Sequence, residues 1–159
     1  MLQVYKRMQK MREKYVDTLA KLYEYATTVY SKKQYTQWYD TKKGGYTYAS
    51  LKERCDSLSK VLTQYGIGAG DKVAILSQSM PNWSVAFFSL APYGRIVIPI
   101  LPDSSTNEVT NIINHSETKA IFVSQKLAGK ISQEVKEKMV LIIDVDTLEI
   151  IKSDDDHFT

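Results

Sequence analysis

Cysteine, histidine and long apolar runs are all scarce in this 159-residue sequence. The single cysteine, Cys55, excludes an internal disulfide and fits a reducing compartment such as the cytosol. Two histidines and one cysteine at unrelated spacings do not form a zinc-type metal site. No run reaches the roughly 20 apolar residues of a membrane-spanning helix, because two prolines and an arginine interrupt residues 83–101. The charged N-terminus also lacks the apolar core of a signal peptide.

The sequence also has no strong excess of either charge and no recognisable phosphate-binding loop. The formal net charge is +3, which is too small to indicate a nucleic-acid partner. No glycine–lysine–serine loop is present, since Gly129 and Lys130 precede an isoleucine. The alternating glycines of residues 66–70 follow a predicted helix and precede a predicted strand, which reverses the order of a dinucleotide-binding loop. We interpret them as a tight connection.

The most informative stretch is residues 71–102. It contains two apolar runs, residues 73–76 and residues 96–101, on either side of a predicted helix whose apolar segment is residues 83–90. Pro81 fits the first position of that helix, where the missing N–H costs nothing. Two short apolar strands flanking one helix predict a β-α-β unit with parallel strands, buried on both faces.

Further helices and strands extend this unit. A helix is predicted before it, at residues 50–65, with Gly66 just beyond its end. Another helix follows, with a Ser105–Glu108 capping box at its start. The remaining predictions are strands at residues 120–123 and 140–143 and a charged helix at residues 129–139. The fold class is therefore α/β, with a β-α-β-α-β-α-β order, a parallel sheet and helices on both faces.

We divide the chain into an N-terminal helical segment (1–33), a β-hairpin (34–48), an α/β part (49–150) and a polar tail (151–159). An apolar stripe in the first segment comprises Val4, Met8, Met11, Tyr15, Leu19, Leu22 and Ala26. Such a stripe packs on the domain or lies on a membrane surface. We favour packing on the domain, because three acidic residues dilute the basic side chains of this segment.

In a parallel sheet, ligands bind outside the carboxyl ends of the strands. Asp144 and Asp146, after the last predicted strand, fit either a cation site or turn chemistry. Residues 104–106 fit either an anion site or helix capping, and capping is favoured because no glycine is nearby. His115 is expected to interact with the end of its helix, and His157 lies in the tail. The carboxyl ends are residues 77–82, 101–105, 124–126 and 144–146.

Several segments resemble a known family in order and spacing. They are YTYxxL at residues 46–51, YGIxxGDKVAI at 65–75, PNW at 81–83, IPILP at 98–102 and NHSETKAIFV at 114–123. They resemble the start of AMP-forming acyl-CoA synthetases, most closely the long-chain fatty-acid–CoA ligase group. Arg95 departs from the family, which usually has a small apolar residue there.

The resemblance implies an enzyme that joins a carboxylate to ATP and passes the acyl group to coenzyme A, with magnesium assisting the first step. The family's phosphate loop, adenine motif and catalytic lysine would all follow this segment. None of the core motif residues can be placed here, so no catalytic, cofactor-binding or metal residues are assigned. The expected role is that of a scaffold, inactive alone, whose partners are the remainder of the enzyme and, in the full enzyme, a fatty acid. An interface left bare predicts self-association of the chain.

Two other functions stay open from the residues alone. One is a stand-alone α/β module, flavodoxin-like or receiver-like, although residues 77–79 are too short for a flavin phosphate loop. The other is a peripheral membrane adaptor that uses the N-terminal helix. The expected location is cytoplasmic, with peripheral membrane attachment left open.

Overall fold

A computed structural model describes residues 18–40 and 44–153, together with residues 2, 3, 6, 7 and 10. Helices and strands alternate through most of this length. They are α1 (Leu19–Val29), β1 (Gln34–Gln37), β2 (Gly45–Thr47), α2 (Tyr48–Gln64), β3 (Lys72–Leu76), α3 (Pro81–Leu90), β4 (Ile96–Ile100), α4 (Thr106–Ser116), β5 (Ala120–Val123), α5 (Gln133–Lys138), β6 (Leu141–Asp144) and β7 (Ile150–Ser153).

The main sheet has the strand order β4-β3-β5-β6-β7. Its first four strands are parallel, and β7 pairs with β6 in the antiparallel direction. One face packs against α2 and α3, and the other packs against α4 and α5. The predicted α/β class, with a parallel sheet covered on both faces, is confirmed. The predicted hairpin is also present as the antiparallel pair β1–β2.

Local signals account for the helix ends. Pro81 is the first residue of α3, as predicted. Thr47 and Ser50 form a capping box at the start of α2, and Ser105 and Glu108 form the predicted one at the start of α4. Gly66, just beyond α2, has a φ of +70°, a conformation that glycine adopts without strain.

The predicted polar tail (151–159) was wrong for residues 151–153, which belong to strand β7 (Ile150–Ser153). Two isoleucines make this segment fit a pleated edge, and Leu148, at a φ of +64°, completes the turn that returns it to β6. The charged helix predicted at residues 129–139 is shorter in the structure, where it is α5, and residues 129 and 130 belong instead to a 3₁₀ turn at Gln125–Lys130. Helix α5 begins after Ser132, whose side chain caps it. Most of the predicted first helix, the middle of the hairpin turn and residues 154–159, including His157, lie outside the described residues.

The docking of α1 on the domain is confirmed, but through a different face from the predicted stripe. Tyr23 and Thr27 are its buried residues, and the Tyr23 ring stacks on Phe88 with 5.3 Å between centroids. Leu19 and Leu22, which belong to the stripe, are 38% and 44% exposed. The aromatic contact between α1 and α3 lies on the buried face, while the two leucines of the stripe stay partly exposed.

Strand β4 is the outer strand on one side of the sheet. Its Ile96 N–H donates to the Asp71 carbonyl of the neighbouring chain segment. Because hydrogen-bonding groups alternate along a strand, the backbone groups of Val97 and Pro99 point away from the sheet. Pro99 has no N–H to present, so a proline occupies a position that only an edge strand tolerates.

Candidate functional site at the carboxyl end of the sheet

Asn82 links three separate segments at the carboxyl end of the sheet. It follows β3, near the start of α3, and is only 5% exposed. Its Nδ2 donates to the carbonyls of Val145 at 2.7 Å and Asp146 at 3.1 Å, while its Oδ1 accepts from the Tyr46 hydroxyl at 2.6 Å. The hairpin, α3 and the loop after β6 are therefore held together by one amide.

The surroundings of Tyr46 further favour the neutral form of its hydroxyl. Burial raises the pKa of the Tyr46 phenol above its ordinary value, while the positive charge of Arg54 opposes that shift. A neutral phenol has one O–H, which it donates to Asn82. This directed hydrogen bond fixes the orientation of the amide, so that both Nδ2 protons face the loop after β6.

Asp144 and Asp146 form a turn around Gln125. The Asp144 carboxylate accepts from Gln125 Nε2 at 2.6 Å and from the Asp146 backbone N–H at 2.7 Å. The Asp146 carboxylate accepts from the Gln125 backbone N–H at 2.8 Å. Of the two predicted alternatives, turn chemistry is the one that the structure shows.

The loop after β5 also contacts the loop after β3, because the Ser124 hydroxyl donates to Gln78 Oε1 at 3.1 Å. Three of the four predicted carboxyl-end segments are thus joined by hydrogen bonds. The fourth, residues 101–105, has a different anchor. Lys130 Nζ donates to the carbonyls of Pro102 and Ser104 at 2.5 and 2.8 Å.

The start of α4 is occupied by a side chain of the protein itself. The Glu108 carboxylate accepts from the Ser105 backbone N–H at 2.7 Å and from its hydroxyl at 2.9 Å. These two hydrogen bonds lower the pKa of Glu108, so the group stays ionised. An anion at this position would have to displace a carboxylate, and capping is therefore the role that the geometry supports. His115 lies exposed in the last turn of the same helix, as predicted.

A magnesium site is not supported by the acidic residues that the structure describes. Within that part of the chain, no group of three or more His, Cys, Asp or Glu side chains is placed to hold a metal ion. Asp144 and Asp146, the nearest candidates, already accept hydrogen bonds from Gln125 and from the backbone. Their arrangement does not fit an octahedral cation with oxygen ligands.

A buried arginine lies at the opposite end of the sheet. Arg95, directly before β4, is 5% exposed. Its guanidinium has five N–H donors, and each meets an acceptor. The acceptors are the Ile67 carbonyl (2.9 Å), the Ser59 hydroxyl (2.8 Å), the Ser59 carbonyl (3.0 Å), the Ser89 carbonyl (3.4 Å) and the Thr63 hydroxyl (2.9 Å).

Sequence reasoning marked Arg95 as a departure but found no role for it. Its partners lie up to 36 residues away and are mostly backbone carbonyls, which leave no trace in a sequence. The sequence likewise gives Asn82 a place in the PNW motif but indicates no partner for it. The signal available for it was a polar residue one position after a helix-starting proline, between two apolar segments.

The chain is similar to known proteins in both sequence and fold. The sequence profile of the family described as AMP-binding enzyme matches residues 24–158. The chain belongs to the AMP-binding enzyme family. The resemblance to AMP-forming acyl-CoA synthetases is thereby confirmed.

Curated relatives of this AMP-binding chain are acyl-CoA ligases from distant organisms. Fatty acyl-CoA synthetase A of Dictyostelium discoideum is 25% identical over 95 residues, covering 58% of this chain and 14% of its own length. 4-Coumarate–CoA ligase 2 of rice, Oryza sativa subsp. japonica, is 28% identical over 116 residues, covering 72% of this chain and 20% of its own length. The chain therefore spans between one seventh and one fifth of these relatives.

Solved structures show the same fold. The anthranilate CoA ligase AuaEII, in complex with anthranoyl-AMP, superposes with a TM-score of 0.73 at 16% identity, covering 82% of this chain and 25% of the other. The N-terminal subdomain of NpsA from Klebsiella oxytoca gives a TM-score of 0.70 at 15% identity, covering 84% and 32%. At these identities the likeness establishes the architecture of the sheet and its helices.

Proposed function

We propose that this chain is a scaffold portion of an AMP-forming fatty-acid–CoA ligase, inactive alone. The parent enzyme would convert a fatty acid and ATP to an acyl-adenylate and pyrophosphate, and then form the acyl-CoA thioester. Magnesium and coenzyme A would serve that full enzyme. The family membership supports the reaction class, and relatives named for fatty acyl and long-chain substrates support the acyl group.

One observation carries the scaffold role. The polar side chains at the carboxyl end of the sheet, where a ligand would bind, satisfy one another. Asn82, Gln125 and Asp144 each direct their polar atoms at a neighbouring segment of the chain. Such a network fixes the shape of the loops, and the described side chains that form it are directed at one another and at the backbone.

The size of the cellular product tests this proposal. An antibody raised against residues 44–153 should detect a protein several times larger than 18.2 kDa in the source cells. That protein, purified on the antibody, should release pyrophosphate when given fatty acid and Mg-ATP, and coumarate should be a poorer substrate. A cellular product of 18 kDa alone would contradict the scaffold proposal.

A second test uses the 159-residue chain alone. Isothermal titration with Mg-ATP should give no saturable heat below millimolar concentrations, because the phosphate-binding elements would lie elsewhere in the enzyme. A dissociation constant in the low micromolar range, about −8 kcal/mol, would require a formed nucleotide site and refute the scaffold role.

Self-association is a further part of the proposal. Ile150 and Ile151 on β7 are 42% and 56% exposed, at the edge of the sheet. Exposed apolar side chains beside an unpaired edge favour association of copies. Light scattering should show a mass that rises with concentration, and Ile151→Glu should reduce the rise. A monomer at every concentration would refute this part.

A further inference from the structure

Helix α1 covers the only cysteine in the sequence. The helix packs against α2 and against a 3₁₀ turn at Ala91–Tyr93. Its buried residue Tyr23 belongs to the same apolar cluster as Cys55 of α2, which is 0% exposed. The Cys55 Sγ also lies 3.6 Å from the Val85 carbonyl oxygen of α3. The thiol is thus enclosed by three helices, and a dissolved reagent cannot reach it while α1 is docked.

The contact between α1 and the domain contains an unsatisfied polar group. The Tyr23 hydroxyl is buried and has no hydrogen-bond partner among the residues that the structure describes. Burial, followed by the nearby Cys55 thiol, raises the pKa of the Tyr23 phenol, so the buried group is a neutral hydroxyl beside the thiol. Sulfur is only a weak hydrogen-bond acceptor and does not replace water. Docking of α1 therefore costs the hydration of this hydroxyl, and movement of the helix into solvent would restore it.

The chain just after α1 is attached to the start of α2 by backbone hydrogen bonds. The Ser31 carbonyl accepts from the Ala49 N–H at 2.9 Å. The Lys33 carbonyl accepts from the Tyr48 N–H at 3.0 Å. Two of the eleven residues of α1 are buried, and the hydroxyl of one of them, Thr27, donates to carbonyls of its own helix. Rotation at the end of α1 would therefore separate the helix from the domain while both of these backbone bonds stay in place.

We propose that Cys55 is a cryptic thiol modification site, which α1 covers when it is docked and exposes when it rotates away as a hinged unit. The reactant is a soluble disulfide. The Cys55 thiol loses its proton to solvent, its sulfur bonds to one sulfur of the disulfide, and the other sulfur leaves as a thiolate with the electron pair. Rotation is required, because burial raises the pKa of the Cys55 thiol to about 12 and keeps it protonated. The site does not depend on the ligase activity proposed above.

The unsatisfied hydroxyl gives the proposal a direction that can be tested. Tyr23→Phe keeps the ring that stacks on Phe88 and removes the hydroxyl, so docking becomes more favourable. Modification of Cys55 should then be slower by at least about fivefold. Tyr23→Ala removes the ring as well and should make modification faster by at least about thirtyfold. A substitution that makes one side chain smaller should thus protect the thiol, while a larger deletion at the same position should expose it.

Reaction of the 159-residue chain with dithiobis(nitrobenzoate), an aromatic disulfide, measures the opening. Cys55 is the only cysteine, so release of the coloured thiolate reports one site, and Cys55→Ser should release none. The rate for the native chain divided by the rate for the urea-unfolded chain gives the fraction in which the thiol is exposed. At low urea this rate should hardly change with urea concentration, because rotation of α1 exposes little surface compared with global unfolding.

Two control variants separate rotation of α1 from other causes. Tyr39→Phe makes the same change at a fully exposed ring and should react like the unmodified chain. Val109→Ala truncates a side chain that is 0% exposed on the other face of the sheet. It should lower stability to urea and leave the reaction rate at low urea unchanged.

The proposal is overturned if Cys55 reacts only at the rate of global unfolding, so that Val109→Ala accelerates the reaction as much as it destabilises the chain. It is also overturned if Tyr23→Phe reacts as fast as the unmodified chain or faster, since the Tyr23 hydroxyl would then not oppose docking of α1.

Discussion

Arg95 and Asn82 are both about 5% exposed, yet they connect the structure at opposite ends in different ways. Arg95 is a cation whose hydrogen-bond acceptors are all neutral carbonyl or hydroxyl oxygens. Its partners lie in the last two turns of α2, in the last turn of α3 and just beyond α2, near the helix ends where the dipoles are negative. Asn82 is neutral and links loops. The amino end of the sheet is thus held by charge, and the carboxyl end by a directed amide.

The difference in donor number suggests which end is more sensitive to substitution. Arg95 supplies five N–H groups to acceptors that would otherwise be buried without a donor. Burial lowers its pKa, while the carboxylate of Asp71 opposes the shift. Asn82 satisfies two carbonyls and one hydroxyl. Loss of Arg95 therefore leaves more unsatisfied groups.

The largest effect is expected for Arg95→Lys. An ammonium has three N–H donors for five acceptors and cannot reproduce the planar geometry, so we expect a loss of about 3 kcal/mol in the free energy of unfolding. Urea denaturation followed by circular dichroism measures it. Arg54→Lys, on the exposed side of α2, is the matched control and should change stability little. Equal effects at the two positions would mean that the Arg95 hydrogen bonds contribute nothing.

The next largest loss of stability is expected for Asn82→Asp, and this loss should depend on pH. A carboxylate would direct an oxygen at the carbonyls of Val145 and Asp146, so its pKa in the folded state should rise above about 4. The folded state then binds the proton more tightly, and stability falls as pH rises. We expect a loss of about 2 to 3 kcal/mol at neutral pH and much less below pH of about 4. Asn111→Asp, on the exposed side of α4, should show no such trend.

Tyr46→Phe should have a smaller effect, because it removes one donor and leaves the amide in place. Asn82 Oδ1 would lose the hydrogen bond that it accepts from Tyr46 at 2.6 Å. We expect the free energy of unfolding to fall by about 1 kcal/mol. Tyr39→Phe makes the same change at a fully exposed ring and serves as the control. If the double variant Tyr46→Phe/Asn82→Asp shows additive losses, the two residues do not act as a unit.

Lys119→Met should have the smallest effect, and its pH trend should be opposite to that of Asn82→Asp. Lys119 Nζ lies 2.7 Å from the Asp71 carboxylate, and both side chains contact solvent. This bond, followed by that from the Gly68 N–H, lowers the pKa of Asp71. The contribution is present above about pH 4 and disappears as pH falls. We expect at most about 0.5 kcal/mol, reduced by salt, and no change for Lys126→Met.

The elements that sequence reasoning found are those with short-range signals. Pro81, Gly66 and the Ser105–Glu108 box each mark a helix end through contacts within one turn. The parallel sheet followed from apolar runs of strand length separated by helices. Strand β7 was missed because its two isoleucines are adjacent and are followed by a lysine and a serine, so the segment lacks the alternation that marks a strand.

The position of the site in the fold could be predicted from the sequence, but the contacts between its segments could not. The four carboxyl-end segments were named correctly, since topology alone places them at one edge. Which of them touch depends on contacts between side chains and segments that are 19 to 64 residues apart in sequence, as between Asn82 and Asp146. The docking face of α1 was wrong for a related reason. The face of α1 that docks is the one that carries Tyr23, because the Tyr23 ring stacks on Phe88 of α3. The more regular apolar stripe has no such contact to mark it in the sequence.

Pro99 makes the outer edge of β4 chemically one-sided. The groups that point outward from Val97 and Pro99 are two carbonyl oxygens but a single N–H. A strand that pairs with this edge must accept from N–H groups and donate to carbonyls in alternation, and one of those N–H groups is missing. The edge therefore pairs poorly with another strand, but its carbonyls can accept hydrogen bonds from water or from a long cationic side chain. The two outer strands therefore differ in how readily they can pair with a strand of another chain. Strand β7 contains no proline and keeps all its backbone donors, whereas β4 lacks one donor and resists edge-to-edge pairing with another copy.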